Sequence, residues 1–282
     1  MLYYPLKNKV VILTGASMGL GRALAVALGK RGARLVLAAR SIEKLYRLQI
    51  ELESYHVESL VSPTDMHSPI TIDQLVDNAI TRWGQIDVVV NNAGYGLWGF
   101  AENLPMQEVQ NLFQTNLFGP LQLMQRVIPH MKKRKTGQIV NIESVVALRS
   151  MPGSSAYCAT KHALHAFSES LRTELAPHGI HVCSVCPGLV TTEFGHNKIE
   201  VGFHTEFPSR FSMTAEKAAE KIARAMQWRR RQIVIPVHAK FMYALQRLSP
   251  TLIDWVMRIG QVLGIPPLGG PKPPGSEGAP PA

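Results

Sequence analysis

The stretch Lys9–Gly32, KVVILTGASMGLGRALAVALGKRG, decides the fold. Val10 to Thr14 is a short aliphatic run that stops at Gly15, the pattern of a buried strand. Gly15, Ser17, Met18, Gly19, Leu20 and Gly21 then make a glycine-rich turn, spaced Gly-x-x-x-Gly-x-Gly. Arg22 to Gly32 continues with a helical pattern. Strand, glycine turn and helix in this order suit a dinucleotide. The glycines let the main chain approach a pyrophosphate, and the helix N-terminus offers free N–H groups and the positive end of its dipole. The spacing is not the common Gly-x-Gly-x-x-Gly, so the flanking strand and helix carry much of the argument.

Working outward, Arg34–Arg40 is a second strand. An acidic residue at its end would grip the ribose 2′-hydroxyl of NAD. Ala39 and Arg40 stand there instead, and an arginine suits a 2′-phosphate, which favours NADP(H). Ser41–Tyr55 reads as a helix with Ser41 as N-cap. A third strand, Val57–Val61, leads towards Asp65, whose carboxylate is placed to meet an adenine amino group. Ile70–Trp83 is helical, and Ile86–Asn91 is the fourth strand. Asn92, Ala93 and Gly94 follow it; small residues there allow close approach of a cofactor, and the amides can brace neighbouring strands. The spacing predicts one long helix over Val109–Lys133, with Asn116, a mediocre helix former, in its middle. Gln138–Glu143 is a fifth strand, Ala156–Ala176 a helix, Ile180–Cys186 a sixth strand ending at Pro187, and Gln232–Pro236 a seventh. Strands alternating with helices imply a parallel sheet with right-handed crossovers, whose ligands bind beyond the C-terminal strand ends. The glycine turn, Arg40, Asn92, Ser144 and Pro187 all fall at such ends.

The chemistry lies in Ser144–Lys161, SVVALRSMPGSSAYCATK. Tyr157 and Lys161 are four residues apart, so a helix puts both on one face. A phenol titrates near 10, and bringing it to about 7 takes about 4 kcal/mol. An ammonium about 4 Å away contributes roughly that much at an effective dielectric near 20, so one lysine is enough if burial does not work against it. Ser144 could then hydrogen-bond the oxygen whose proton Tyr157 handles. The same Tyr–Lys spacing occurs at Tyr3 and Lys7 beside Pro5, where no helix should run, so the spacing gains meaning only from its surroundings.

The chain has 282 residues, 46% of them hydrophobic, and a net charge of +10. The charge collects in Lys132–Lys135 and in Lys217–Arg231. The first run reads as a helix end, where cations suit the dipole; no nucleic-acid partner is expected. Three cysteines are too few for a disulfide framework. Cys183 and Cys186 lie in an apolar strand with no second pair, so core-facing or near-site thiols are expected and no metal. Reduced thiols fit the cytosol. No signal peptide or spanning helix is expected.

Together these pieces resemble the classical short-chain dehydrogenase/reductase family over roughly residues 7 to 236. The resemblance rests on Thr14–Gly21, Asn91–Gly94, Asn116, Ser144, Tyr157-x-x-x-Lys161 and Pro187, Gly188 and Thr191. It implies a Rossmann-type, doubly wound parallel sheet of about seven strands. It also implies a tetrad of Asn116, Ser144, Tyr157 and Lys161. In the family the tyrosine is the general acid or base and the serine orients the carbonyl. The lysine holds the nicotinamide ribose and lowers the tyrosine pKa, and the asparagine supports a water-linked proton relay. Thr191 would contact the nicotinamide carboxamide, and family members commonly pair through the helices around 109–133 and 156–176, so a homo-oligomer is expected. Glu143 departs from the family pattern, which often has serine there. Facing the site, it would oppose ionisation of the tyrosine; strand alternation turns it away.

Residues 1–237 are thus expected to form the nucleotide-binding catalytic domain, with a substrate lid over 190–212. Phe194, Phe203, Phe207 and Phe211 suggest an apolar pocket there, with His196 and His204 as polar handles. Residues 238–264 read as a helical extension. Its second helix, Thr251–Leu263, is apolar except for Asp254, Arg258 and Gln261, and needs cover from the body, a second subunit or a membrane surface. Residues 265–282, rich in proline, read as a disordered tail. The expected activity is NADP(H)-dependent hydride transfer to or from a small hydrophobic carbonyl or alcohol, steroid-, retinoid- or acyl-like. The rival reading is a non-catalytic, NADPH-binding scaffold at a membrane surface.

Overall fold

A computed structural model describes residues 3–195, 198–204, 212–236, 243–246, 248–262 and 270–271. The central sheet has seven strands: β1 Val10–Thr14, β2 Arg34–Ala39, β3 Ser59–Pro63, β4 Val88–Asn91, β5 Gly137–Ile142, β6 Ile180–Pro187 and β7 Gln232–Ile235. Their order is β7-β6-β5-β4-β1-β2-β3, and every pairing is parallel. The order reverses between β1 and β4, which opens a crevice at their C-terminal ends.

The strands are apolar on both sides because helices cover both faces. On one face, Val11, Leu13, Leu35 and Val90 pack with Leu24 and Leu28 of α1 (Gly19–Gly29), Leu45 of α2 (Ile42–Glu53) and Ile222 of α7 (Ala215–Gln227). On the other, Val10, Ile12, Val89 and Ile139 pack with Leu75 of α3 (Pro69–Trp83), Val127 of α5 (Gly119–Arg134) and Leu164 of α6 (Ser155–Leu175). Residue alternation along each strand thus splits the core in two.

The expected helix over 109–133 is not one helix. α4 (Met106–Phe113) and α5 are joined by a π-helical turn, Gln114–Phe118, that contains Asn116. The extra residue in that turn rotates Asn116 inward, where it is fully buried. The last turn of α5 carries Lys132, Lys133 and Arg134, as the dipole favours. Arg134 also reaches the buried Asp87 carboxylate at 2.9 Å. Ser41 stands at the N-cap of α2, but its side chain makes no capping bond. Thr214 does cap α7, accepting from the Lys217 N–H.

In the C-terminal extension, α8 (Pro250–Val262) buries Ile253 and is tied to the body by an ion pair from Arg149 to Asp254. Leu252, Trp255 and Val256 remain exposed. Among the described residues no helix is long and apolar enough to cross a membrane. Leu97–Gly99 pairs with Ile199–Val201 of the expected lid, and Phe203 and His204 pair antiparallel with Pro271 and Gly270. His196, Phe207, Phe211 and most of the expected tail lie outside the described residues.

Candidate active site

The C-terminal ends of β1, β2, β3, β4, β5 and β6 surround one cleft of about 1060 Å³. Every residue expected to hold the nucleotide or act beside it lines this cleft, except Asn116 and Thr191. The Thr191 hydroxyl hydrogen-bonds Ser212 instead, and Thr192 lines the cleft.

At one end, the glycine turn leads into α1. No side-chain oxygen caps that helix, so its first N–H groups fit an anion. The close packing is set by glycine. A Cβ on Gly21 would stand 2.0 Å from the Gly15 carbonyl oxygen, and one on Gly15, whose φ is +65°, would stand 2.9 Å from Asn92 Nδ2. Asn92 donates to the Thr14 and Gly15 carbonyls, and Asn91 donates to Asn141 Oδ1, so both amides brace strands as expected. Above the turn, a Cβ on Gly19 would be 3.1 Å from Thr192 Cβ. Val190, Thr192 and Phe194 therefore roof the cleft. Arg40 is exposed on its wall beside Ser41, Glu43 and Lys44. A phosphate-bearing dinucleotide fits this set of donors.

At the other end, β5 delivers Ser144, and α6 presents Tyr157 and Lys161 on one face. The Ser144 hydroxyl donates to the Pro187 carbonyl at 3.4 Å and accepts from the Val146 N–H at 3.2 Å, and it stands beside the phenol. Lys161 Nζ donates to the Ile142 carbonyl at 3.0 Å and lies 5.8 Å from the centre of the tyrosine ring. The Tyr157 ring stacks on Trp98 at 5.6 Å and meets Phe194 at 6.1 Å. Trp98 was not anticipated; its one sequence signal is a bulky aromatic just after the small-residue run Asn92–Gly94.

This apolar setting corrects the electrostatic expectation. Burial pushes the Tyr157 phenol up, and the Ser144 hydrogen bond opposes this. Lys161 shares that setting. Its own ammonium is pushed down to about 8, chiefly by burial, while Glu143 and Cys186 work the other way. Both partners are desolvated, and the ammonium is turned to a backbone carbonyl.

Asn116 does not reach the cleft. Its Oδ1 accepts from the Tyr95 N–H, and its Nδ2 donates to the Tyr95 carbonyl and to Thr160 Oγ1. It clamps the loop after β4 to α6, and a Cβ on Gly94 would stand 2.9 Å from its Oδ1. Glu143 is buried and lines the cleft beside Ser144, with its carboxylate bonded to His165 and Ser168. Cys183 and Cys186 are buried and unpaired, and burial pushes the Cys183 thiol up to about 12.

The family model for short chain dehydrogenases matches residues 9–201. A dehydrogenase/reductase SDR family protein 7-like from Drosophila melanogaster is 32% identical over 262 residues, which are 89% of this chain and 80% of the relative. An alcohol dehydrogenase from Thermococcus sibiricus, complexed with 5-hydroxy-NADP, superposes with a TM-score of 0.73 at 27% identity, covering 81% of this chain and 96% of the other. A short chain dehydrogenase/reductase from Burkholderia phymatum, in complex with NAD, gives 0.79 at 25% identity, covering 88% and 96%.

Proposed function

The chain belongs to the short-chain dehydrogenase family and is an oxidoreductase; on that premise we propose that it is NADP(H)-dependent and acts on hydrophobic ketones, aldehydes or secondary alcohols. Ser144, Tyr157 and Lys161 converging at one end of a nucleotide-shaped cleft carries this reading. The glycine turn and α1 would hold the pyrophosphate, Arg40 the 2′-phosphate and Asp65 the adenine. Asn92–Gly94, Lys161, Pro187 and Gly188 would hold the nicotinamide half, which when bound supplies or accepts the hydride.

Tyr157 then gives its proton to the carbonyl oxygen in reduction and takes it back in oxidation. Ser144, beside the phenol at the end of β5, orients that oxygen. Trp98 and Phe194 beside the phenol support an apolar substrate, steroid-, retinoid- or acyl-like in character. The bare apolar face of α8 supports peripheral contact with a lipid surface. Exposed Phe118 and Phe167, on the π turn and on α6, support pairing with a second copy.

A panel of apolar carbonyls followed by NADPH absorbance tests the reaction. Tyr157→Phe is expected to lose at least about 100-fold in turnover while NADPH affinity stays near that of the parent. Normal turnover in that variant would sink the mechanism.

A further inference from the structure

Glu143, which lines the cleft, heads a group of polar side chains that the proposed chemistry leaves unused. The Glu143 side chain has no exposed surface. It accepts from Ser168 Oγ at 2.7 Å, bonds His165 Nδ1 at 2.6 Å and receives the Cys186 thiol at 3.6 Å. Besides Asp87, it is the one buried acid among the described residues. A carboxylate in such a place costs several kcal/mol unless opposite charges face it.

Such charges are present. Lys161, His165 and Ser168 are spaced i, i+4, i+7 on α6. His165 and Ser168 bond the carboxylate, Lys161 Nζ bonds the carbonyl of Ile142, the residue before Glu143, at 3.0 Å, and Arg172 adds a further positive charge. From β6 come Cys183 and Cys186, thiols that burial keeps protonated. Glu169 lies farther out, 4.0 Å from His165 Nε2 and 3.5 Å from Arg231. Burial works against the Lys161 ammonium, and Glu143 is the largest influence in its favour. Glu143, His165 and Cys186 do place three ligand atoms within 4.8 Å of one another. Hydrogen bonds already occupy them, and a divalent ion there would repel the neighbouring ammonium.

We propose that Glu143 is a positioning residue: its buried negative charge keeps Lys161 in the ammonium form, while His165 and Ser168 hold the carboxylate in place. This deepens, and rests on, the reading of Lys161 as part of the reacting site.

Acetylation of Lys161 by acetic anhydride, followed against pH by mass spectrometry of the folded full chain, reads the ammonium without any need for turnover. In Glu143→Gln the labelling midpoint is expected to fall by about one pH unit, and the alkaline limb of the activity profile with it. Glu143→Asp keeps the charge and is expected to restore both. His165→Gln breaks the ion pair but keeps the carboxylate, so its midpoint is expected to stay or rise. An unchanged midpoint in Glu143→Gln overturns the proposal, as does a fall in His165→Gln, which also decides the matter if Glu143→Gln does not fold. A midpoint that moves as expected in a chain that reduces no carbonyl supports the proposal and overturns the reaction instead.

Discussion

Single residues carry the clearest tests. Arg40 stands where a ribose-gripping carboxylate would give NAD its preference. Arg40→Asp is expected to lower kcat/KM for NADPH by at least about tenfold, the worth of about 1.4 kcal/mol, and to raise that for NADH. An unchanged ratio would remove Arg40 from the 2′-phosphate. His165 gives a test of stability. Its folded pKa is raised, first by the hydrogen bond to Glu143. The ion pair therefore contributes fully below the ordinary histidine value of 6.5 and fades as pH rises through the higher folded value. The stability gap between the parent and His165→Gln should be widest at acid pH and shrink above neutrality, as urea melts across pH would show. Tyr157 and Lys161 were legible because a helix fixes what four residues of separation mean. The phenol's proton affinity was not, because it depends on Trp98 and Phe194, 59 residues before and 37 after it in the chain. Thr191 and Thr192 show the same limit. Neighbours in a loop face different ways, and only the folded path says which one meets the cleft.

Among the elements, the strand–turn–helix of β1 and α1 was readable because apolar run, glycines and helical period occur in one unbroken stretch. The Met106–Arg134 region was not. A π turn adds a single residue to a helical pattern, too small a phase change for side-chain periodicity to reveal. Yet that residue turns Asn116 from a surface position into a clamp on Tyr95 and Thr160. Asn116→Ala would leave the Tyr95 N–H and carbonyl unsatisfied, at about 1–3 kcal/mol for such a buried group. A matching loss in the urea midpoint is the expected outcome. Unaltered stability with lost activity would point instead to a direct part in proton transfer.

For the molecule as a whole, the parallel sheet and its strand order follow from alternation and handedness, which local sequence states well. Surfaces are harder, since a bare apolar residue looks the same in sequence as a buried one. Phe118 and Phe167 are 51% and 44% exposed, on the elements expected to pair copies. Phe118→Glu combined with Phe167→Glu is expected to shift sedimentation from oligomer to monomer with the fold intact. A parent that already sediments as a monomer would end that idea.

The roof over the glycine turn bears on the order of events. Thr192 sits against Gly19, and Phe194 against Tyr157. A nucleotide lying on the turn would be covered by the same strap that walls the reacting end. Its departure then requires that strap to lift. Binding would be compulsory-order, coenzyme leading and leaving last, and the strap's opening rate would set the ceiling on turnover.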